Sequence, residues 1–225
     1  MFAARTERIL AAAGLLYPVL SVVGFAAFPQ PPGGDVSAAH DPQWLIAHTG
    51  TVIGQSYIRA LAALAFLVLA VAVARAVTPT AKSPSLPRLI VAGGAGCSIL
   101  LLLAQATTLS AALATRDHLS PSVIPVFDSL NQGFLSLSSL PAVLLFAAAG
   151  AAFLHHASAP RWLTVLTLVG VPLALLDAAS YDGGPLAAVG IMGLAYFLVW
   201  SLSTAAYLAR RGPVIAPDAV AFAIS

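Results

Sequence analysis

Charge is what this sequence lacks. Only 8% of its 225 residues are Asp, Glu, Lys or Arg, 60% are hydrophobic, and the mean hydropathy is +0.94. A water-soluble domain carries about 25% charged residues on its surface, so the expected solvent of this chain is the lipid bilayer. Cysteine is nearly absent as well. The single Cys97 rules out an internal disulfide, sits in an apolar run and reads as an inert core residue. Missing too are G-x-S-x-G, a P-loop, HExxH and a dinucleotide fingerprint, together with the chemistries they carry. His40, Asp41, His48 and His118 match no zinc spacing, so neither a metal nor a cofactor is expected. The few basic residues lie between apolar runs and read as orientation signals, which leaves nucleic-acid binding without support.

What is abundant is long apolar sequence. One span needs about 20 apolar residues, and six such runs follow one another: 9–28, 51–77, 89–114, 126–155, 162–180 and 186–209. Each is bounded by proline, glycine or charge. The first is longer than a signal-peptide core and no A-x-A site follows it, so a retained helix is expected. The predicted fold is an all-α, polytopic membrane bundle of six helices forming one domain, 1–225.

The basic residues orient it. Arg5, Arg8, Arg75, Lys82, Arg88, Arg161, Arg210 and Arg211 flank one side, whereas the opposite connections hold only Arg116, followed directly by Asp117. Both termini are therefore expected in the cytoplasm, in a multi-pass protein of the cell membrane. Trp44 on one side, with Trp162 and Tyr207 on the other, suits interfacial anchoring. Asp35, Asp41, Asp117, Asp128, Asp177 and Asp182 then all fall in the outer half, and only Glu7 and Asp218 lie on the tails.

Within the spans, FDSLNQGFLSLSSL (127–140) puts Asp128, Asn131 and Gln132 on one helical face, and Ser136 and Ser139 continue that stripe inward. Thr51, Gln55 and Arg59 share a face of the second span, and Gln105 with Thr108 lies on the third. Asp177, Ser180 and Tyr181 close the fifth, before Asp182 in a YDGGP turn. Intramembrane ionisable groups usually face a bundle interior or a wet cavity. A polar pocket in the outer half is therefore expected, with Arg59 paired to Asp128, Asp177 or Asp182. Gly93, Gly94, Gly96, Gly190 and Gly193 allow close helix approach, and Pro18, Pro141 and Pro172 interrupt three helices. Buried amides and hydroxyls also serve simply to join helices. For Gln55, Gln105 or Ser139 taken singly, that is the simpler reading.

The segments RTERILAAAGLLYPVLSVVGF, GGDVSAAHDPQWLIAHTG and GQSYIRALAALAFLVLAVAVARAV resemble, in layout and composition, small six-helix integral membrane proteins of high-GC actinobacteria, most without an assigned function. The intramembrane acids beside aromatic residues are similar to those of membrane-integral terpene cyclases, which cyclise prenylated indoles and meroterpenoids. That resemblance implies metal-independent cyclisation and fits the absence of DDxxD, but it carries no residue roles.

Two functions compete. The first is an enzyme whose lipophilic substrate enters from the bilayer, with Asp128, Asp177 and Asp182 as catalytic candidates. A carboxylic acid in low dielectric keeps its proton and can give it to an alkene or epoxide. Gln55, Arg59, Gln105, Asn131 and Gln132 would bind substrate, while the rings of Phe127, Phe134, Tyr181, Tyr196 and Trp200 attract a carbocation. The second is a non-enzymatic accessory protein or small transporter that uses the same residues as an ion-pair network. A transport path needs ionisable groups at several depths, and these are confined to one half.

Overall fold

The computed structural model describes residues 2–27, 42–80, 83–117, 123–155, 159–179 and 187–210. Among them are six α-helices and no strand: α1 (Phe2–Ala26), α2 (Pro42–Val77), α3 (Ser85–Arg116), α4 (Ile124–Leu154), α5 (Arg161–Ala178) and α6 (Ala187–Arg210). Five of them, α2 to α6, contain stretches long and apolar enough to cross a membrane, and within α1 Gly14–Ala26 is a shorter apolar stretch. The fold is a helical membrane bundle.

Helix boundaries agree with the apolar runs to within a few residues, except at the starts of the first two helices. The described backbone of α1 is helical from Phe2. The second helix begins at Pro42, nine residues before the predicted Thr51. Proline is favoured in the first helical turn, where its missing N–H has no partner to lose. The polar HTG segment then stays helical because its side chains bond back to the helix: Thr49 Oγ1 donates to Leu45 O at 2.7 Å, and His48 Nδ1 lies 2.9 Å from Trp44 O. At 36 residues α2 is about 54 Å long, well beyond the ~30 Å hydrocarbon core. Arg59 therefore lies midway along it rather than two turns from its end.

Each helix packs on the next in chain order, α6 closes the ring on α1, and α2 also meets α4 and α6. Small residues bring the backbones together. A Cβ on Gly93 would lie 2.6 Å from Leu145 N and 2.7 Å from Pro141 O, and one on Gly94 would overlap the methyl of Ala70. The expected tight approach at this glycine cluster is therefore present. The core centres on Phe66, Phe146 and Trp200. The Trp200 ring stands edge-on to Phe146 with centroids 5.0 Å apart, and Phe66 packs against Tyr17 at 5.1 Å.

Antiparallel register sets the depths. Gly150 rests on Leu168, Gly170 on Phe146, and Ser139 meets Asp177. Helix α5 ends at Ala178, opposite the middle of α4, so the first half of α4 runs on beyond it.

Candidate functional site

Asp177 occupies the last turn of α5 and is half-buried. Ser139 Oγ, 1% exposed on α4, donates to its Oδ2 at 2.5 Å. Gly193 on α6 makes room on the other side, since a Cβ there would lie 3.1 Å from Oδ1. Cys97 on α3 is fully buried and lies near Asp177. Three helices thus frame one carboxyl group, with a thiol nearby. Below it, Tyr196 stands edge-on to Phe146 at 5.5 Å, and its hydroxyl donates to Leu166 O at 2.5 Å.

Among the described residues, Asp177 meets the α4 stripe at its inner end, Ser139, and not at Asp128. Asp128 precedes Ser139 by eleven positions on α4, so it lies about 16 Å along the axis from the level of Asp177. Asn131 turns toward α3 instead, donating through Nδ2 to Ala104 O at 2.6 Å and Thr108 Oγ1 at 2.8 Å. Phe127, Asp128, Gln132, Phe134 and Ser136 are half-buried along the same stretch of α4. Tyr181 and Asp182 lie outside the described residues, as do Asp35, Asp41, His40, His118 and Ser180.

Arg59 is likewise not paired as expected. Neither Asp128 nor Asp177 is within salt-bridge distance of Arg59, and the only ion pair between two described residues is the exposed Arg116–Asp117 contact at 3.1 Å. Instead, Arg59 Nη2 donates to Gly24 O at 3.4 Å, joined there by Gln55 Nε2 at 2.7 Å. The guanidinium carbon lies 4.3 Å from the Phe25 ring centroid. Gly24 belongs to the last turn of α1, whose carbonyls have no intrahelical partner and carry the negative end of the helix dipole. That end, with the ring face, takes the place of the carboxylate. The four-residue spacing of Gln55 and Arg59 was visible in the sequence, but the helix they would cap was not.

Trp200 is 0% exposed and donates its indole N–H to Thr167 Oγ1 at 3.0 Å, so it belongs to the sealed core rather than to a binding wall. Ser139 stands on the polar stripe of α4, where the sequence shows it only as a helix-joining hydroxyl, and Cys97 carries no sequence signal beyond that of an inert core residue.

Comparison with protein-family models, curated proteins and solved structures found no match to this chain.

Proposed function

We propose that this is a multi-pass protein of the cell membrane that takes a lipophilic small molecule from the bilayer and acts on it by metal-independent acid–base chemistry at Asp177. The reaction class that suits these parts is proton-initiated cyclisation or isomerisation of a prenylated or terpenoid substrate. One observation carries this reading: an aspartate inside the bundle, oriented by the Ser139 hydroxyl and given space by Gly193. In such a step the carboxyl proton adds to an alkene or epoxide, the resulting cation closes a ring, and the carboxylate takes back a proton from the neighbouring carbon. Atoms balance and product mass equals substrate mass. The ring of half-buried Tyr196 offers a π face for a transient cation, and the apolar bundle excludes water.

The test is to incubate membranes containing the protein with prenylated indoles and terpenoid epoxides and look for isomers of unchanged mass. Wild type should form them and Asp177→Asn should not, while both accumulate equally in the membrane. Equal conversion by the two proteins would remove Asp177 from the reaction.

A second reading, a non-enzymatic accessory protein, is favoured by a different observation. Gln55 and Asn131 spend their amides on the backbone carbonyls of Gly24 and Ala104, which is the behaviour of helix-joining side chains. On this reading no substrate is converted and the polar residues matter only for assembly.

A further inference from the structure

Beyond Asp177, toward Ile124, the polar face of α4 continues. Helix α5 covers one direction of α4, where Gly170 meets Phe146 and Asp177 meets Ser139. In that direction Phe146 is 0% and Ser139 1% exposed. Helix α5 then ends at Ala178, while α4 runs on to Ile124. With about 100° of rotation per residue, Asp128 and Gln132 project within about 20° of Ser139, and Ser136 within about 60°. All three are half-buried. The direction that is sealed beside α5 is therefore open to a small molecule beyond its end. It is not the side of α4 that faces lipid. Leu137, 50% exposed, projects about 100° away from Ser136 and about 140° away from Gln132.

The hydrogen-bonding side chains of this stretch are unequally engaged. Asn131 bonds Ala104 O and Thr108 Oγ1, Ser129 bonds Pro125 O, and Ser138 bonds Leu135 O. Gln132 and Ser136 have no hydrogen-bond partner among the described residues. They lie about 10 Å and about 4.5 Å along the axis from Ser139, inside an apolar span. An amide and a hydroxyl among hydrocarbon need partners, and each can both donate and accept. Helix α4 has no Lys or Arg, and Asp128 is its only charged residue. The cation of the neighbouring α2 span, Arg59, is turned to Gly24 O at the end of α1. This face therefore suits an uncharged polar group rather than a phosphate. We infer that Gln132 and Ser136 hold the uncharged polar end of an amphiphile whose apolar part reaches Asp177. Its polar group would then sit about 5–10 Å from the reacting carbon. The inference rests on the reading that Asp177 marks where the lipophilic molecule binds.

The full-length protein in lipid nanodiscs would be titrated with farnesol, farnesene and farnesyl diphosphate, read by native mass spectrometry. The three share a prenyl chain and differ at its end, which carries a hydroxyl, no polar group or an anion. Wild type should bind farnesol about tenfold more tightly than a Gln132→Leu, Ser136→Ala double variant does, the order of magnitude of one hydrogen bond. Farnesene should bind both proteins alike, and wild type should bind the diphosphate more weakly than farnesol. Leu137→Ala, on the lipid-facing side, should change none of these affinities. The double variant should keep the thermal unfolding midpoint, because neither side chain has a bond to lose. Gln132→Met repeats the test should it misfold. Water and lipid headgroups offer the same hydrogen bonds and are present in every arm. Equal farnesol affinity in wild type and variant would leave them as the partners and overturn the site. Absence of farnesol binding would overturn it too, and so would tighter binding of the diphosphate. Turnover separates the two readings. Discrimination without any isomerised product would count against catalysis at Asp177 alone, and product without discrimination against the Gln132–Ser136 site alone.

Discussion

Ser139 and Asp177 meet across the α4–α5 contact, the hydroxyl donating to Oδ2 at 2.5 Å, and this pairing places the carboxyl opposite the middle of α4. Replacing Ser139 with Ala should destabilise the bundle by about 0.5–1.5 kcal/mol, the net range for a hydrogen bond to an uncharged group such as a protonated carboxyl. Asp177→Asn keeps an acceptor for the same hydroxyl and should cost less. Unfolding in mixed micelles with increasing SDS would measure both. The reverse order would mean that the hydroxyl does not hold the carboxyl.

Gly193→Ala tests the space beside that carboxyl. Its Cβ would lie 3.1 Å from Oδ1 and 3.2 Å from Cγ, tighter than ordinary van der Waals contact, so Asp177 must shift. If Asp177 is the acid, product formation should fall at least tenfold while membrane insertion is unchanged. Unaltered turnover would show that the position of the carboxyl does not matter.

Arg59 caps a helix end, and the size of its contribution distinguishes that role from an ion pair. A cation at a helix C-terminus contributes about 0.3–1 kcal/mol, rising to ~2 kcal/mol where partly buried. Breaking a buried salt bridge costs ~3–5 kcal/mol. Arg59→Leu should therefore lower stability by no more than about 2 kcal/mol, and hydrogen exchange should quicken in the last turn of α1. A loss in the salt-bridge range would identify a carboxylate partner.

Asn131 joins α3 to α4. Asn131→Leu should lose about 0.6–2 kcal/mol, the measured range for interhelical hydrogen bonds in membranes. Combining it with Thr108→Val should cost less than the sum of the two, because Asn131 Nδ2 bonds Thr108 Oγ1 at 2.8 Å. Strict additivity in a double-mutant cycle would mean that the two side chains act independently.

Gly94→Ala should destabilise by about 1–3 kcal/mol through overpacking, since the added methyl would overlap that of Ala70. Ala70→Gly in the same protein should recover most of the loss. Without recovery, the close approach of α2 and α3 would lie elsewhere.

Six helices and a bilayer environment were legible in the sequence because both follow from local quantities. An apolar run of sufficient length has one stable solution in lipid, a helix that satisfies its own backbone. The early start of α2 was hidden because His48 and Thr49 look like loop residues until their side chains are seen bonding to Trp44 O and Leu45 O.

The sequence by itself determined the membrane, the helices and which side chains had to avoid lipid. Only the tertiary structure decided what those side chains met. Asp128, Asn131 and Gln132 share a face by helical periodicity alone, but which helix lies opposite that face depends on how six helices pack and slide against one another. The short α5 ends level with Ser139, so the carboxyl of Asp177 meets the inner end of the stripe and not Asp128. The end of α1 reaches Gln55 and Arg59, so the arginine meets a helix dipole and not an aspartate. Periodicity along one chain fixes a direction around a helix axis. The partner in that direction is chosen by side-chain volumes at distant contacts, such as Gly94 on Ala70 and Gly170 on Phe146, which set the register of whole helices.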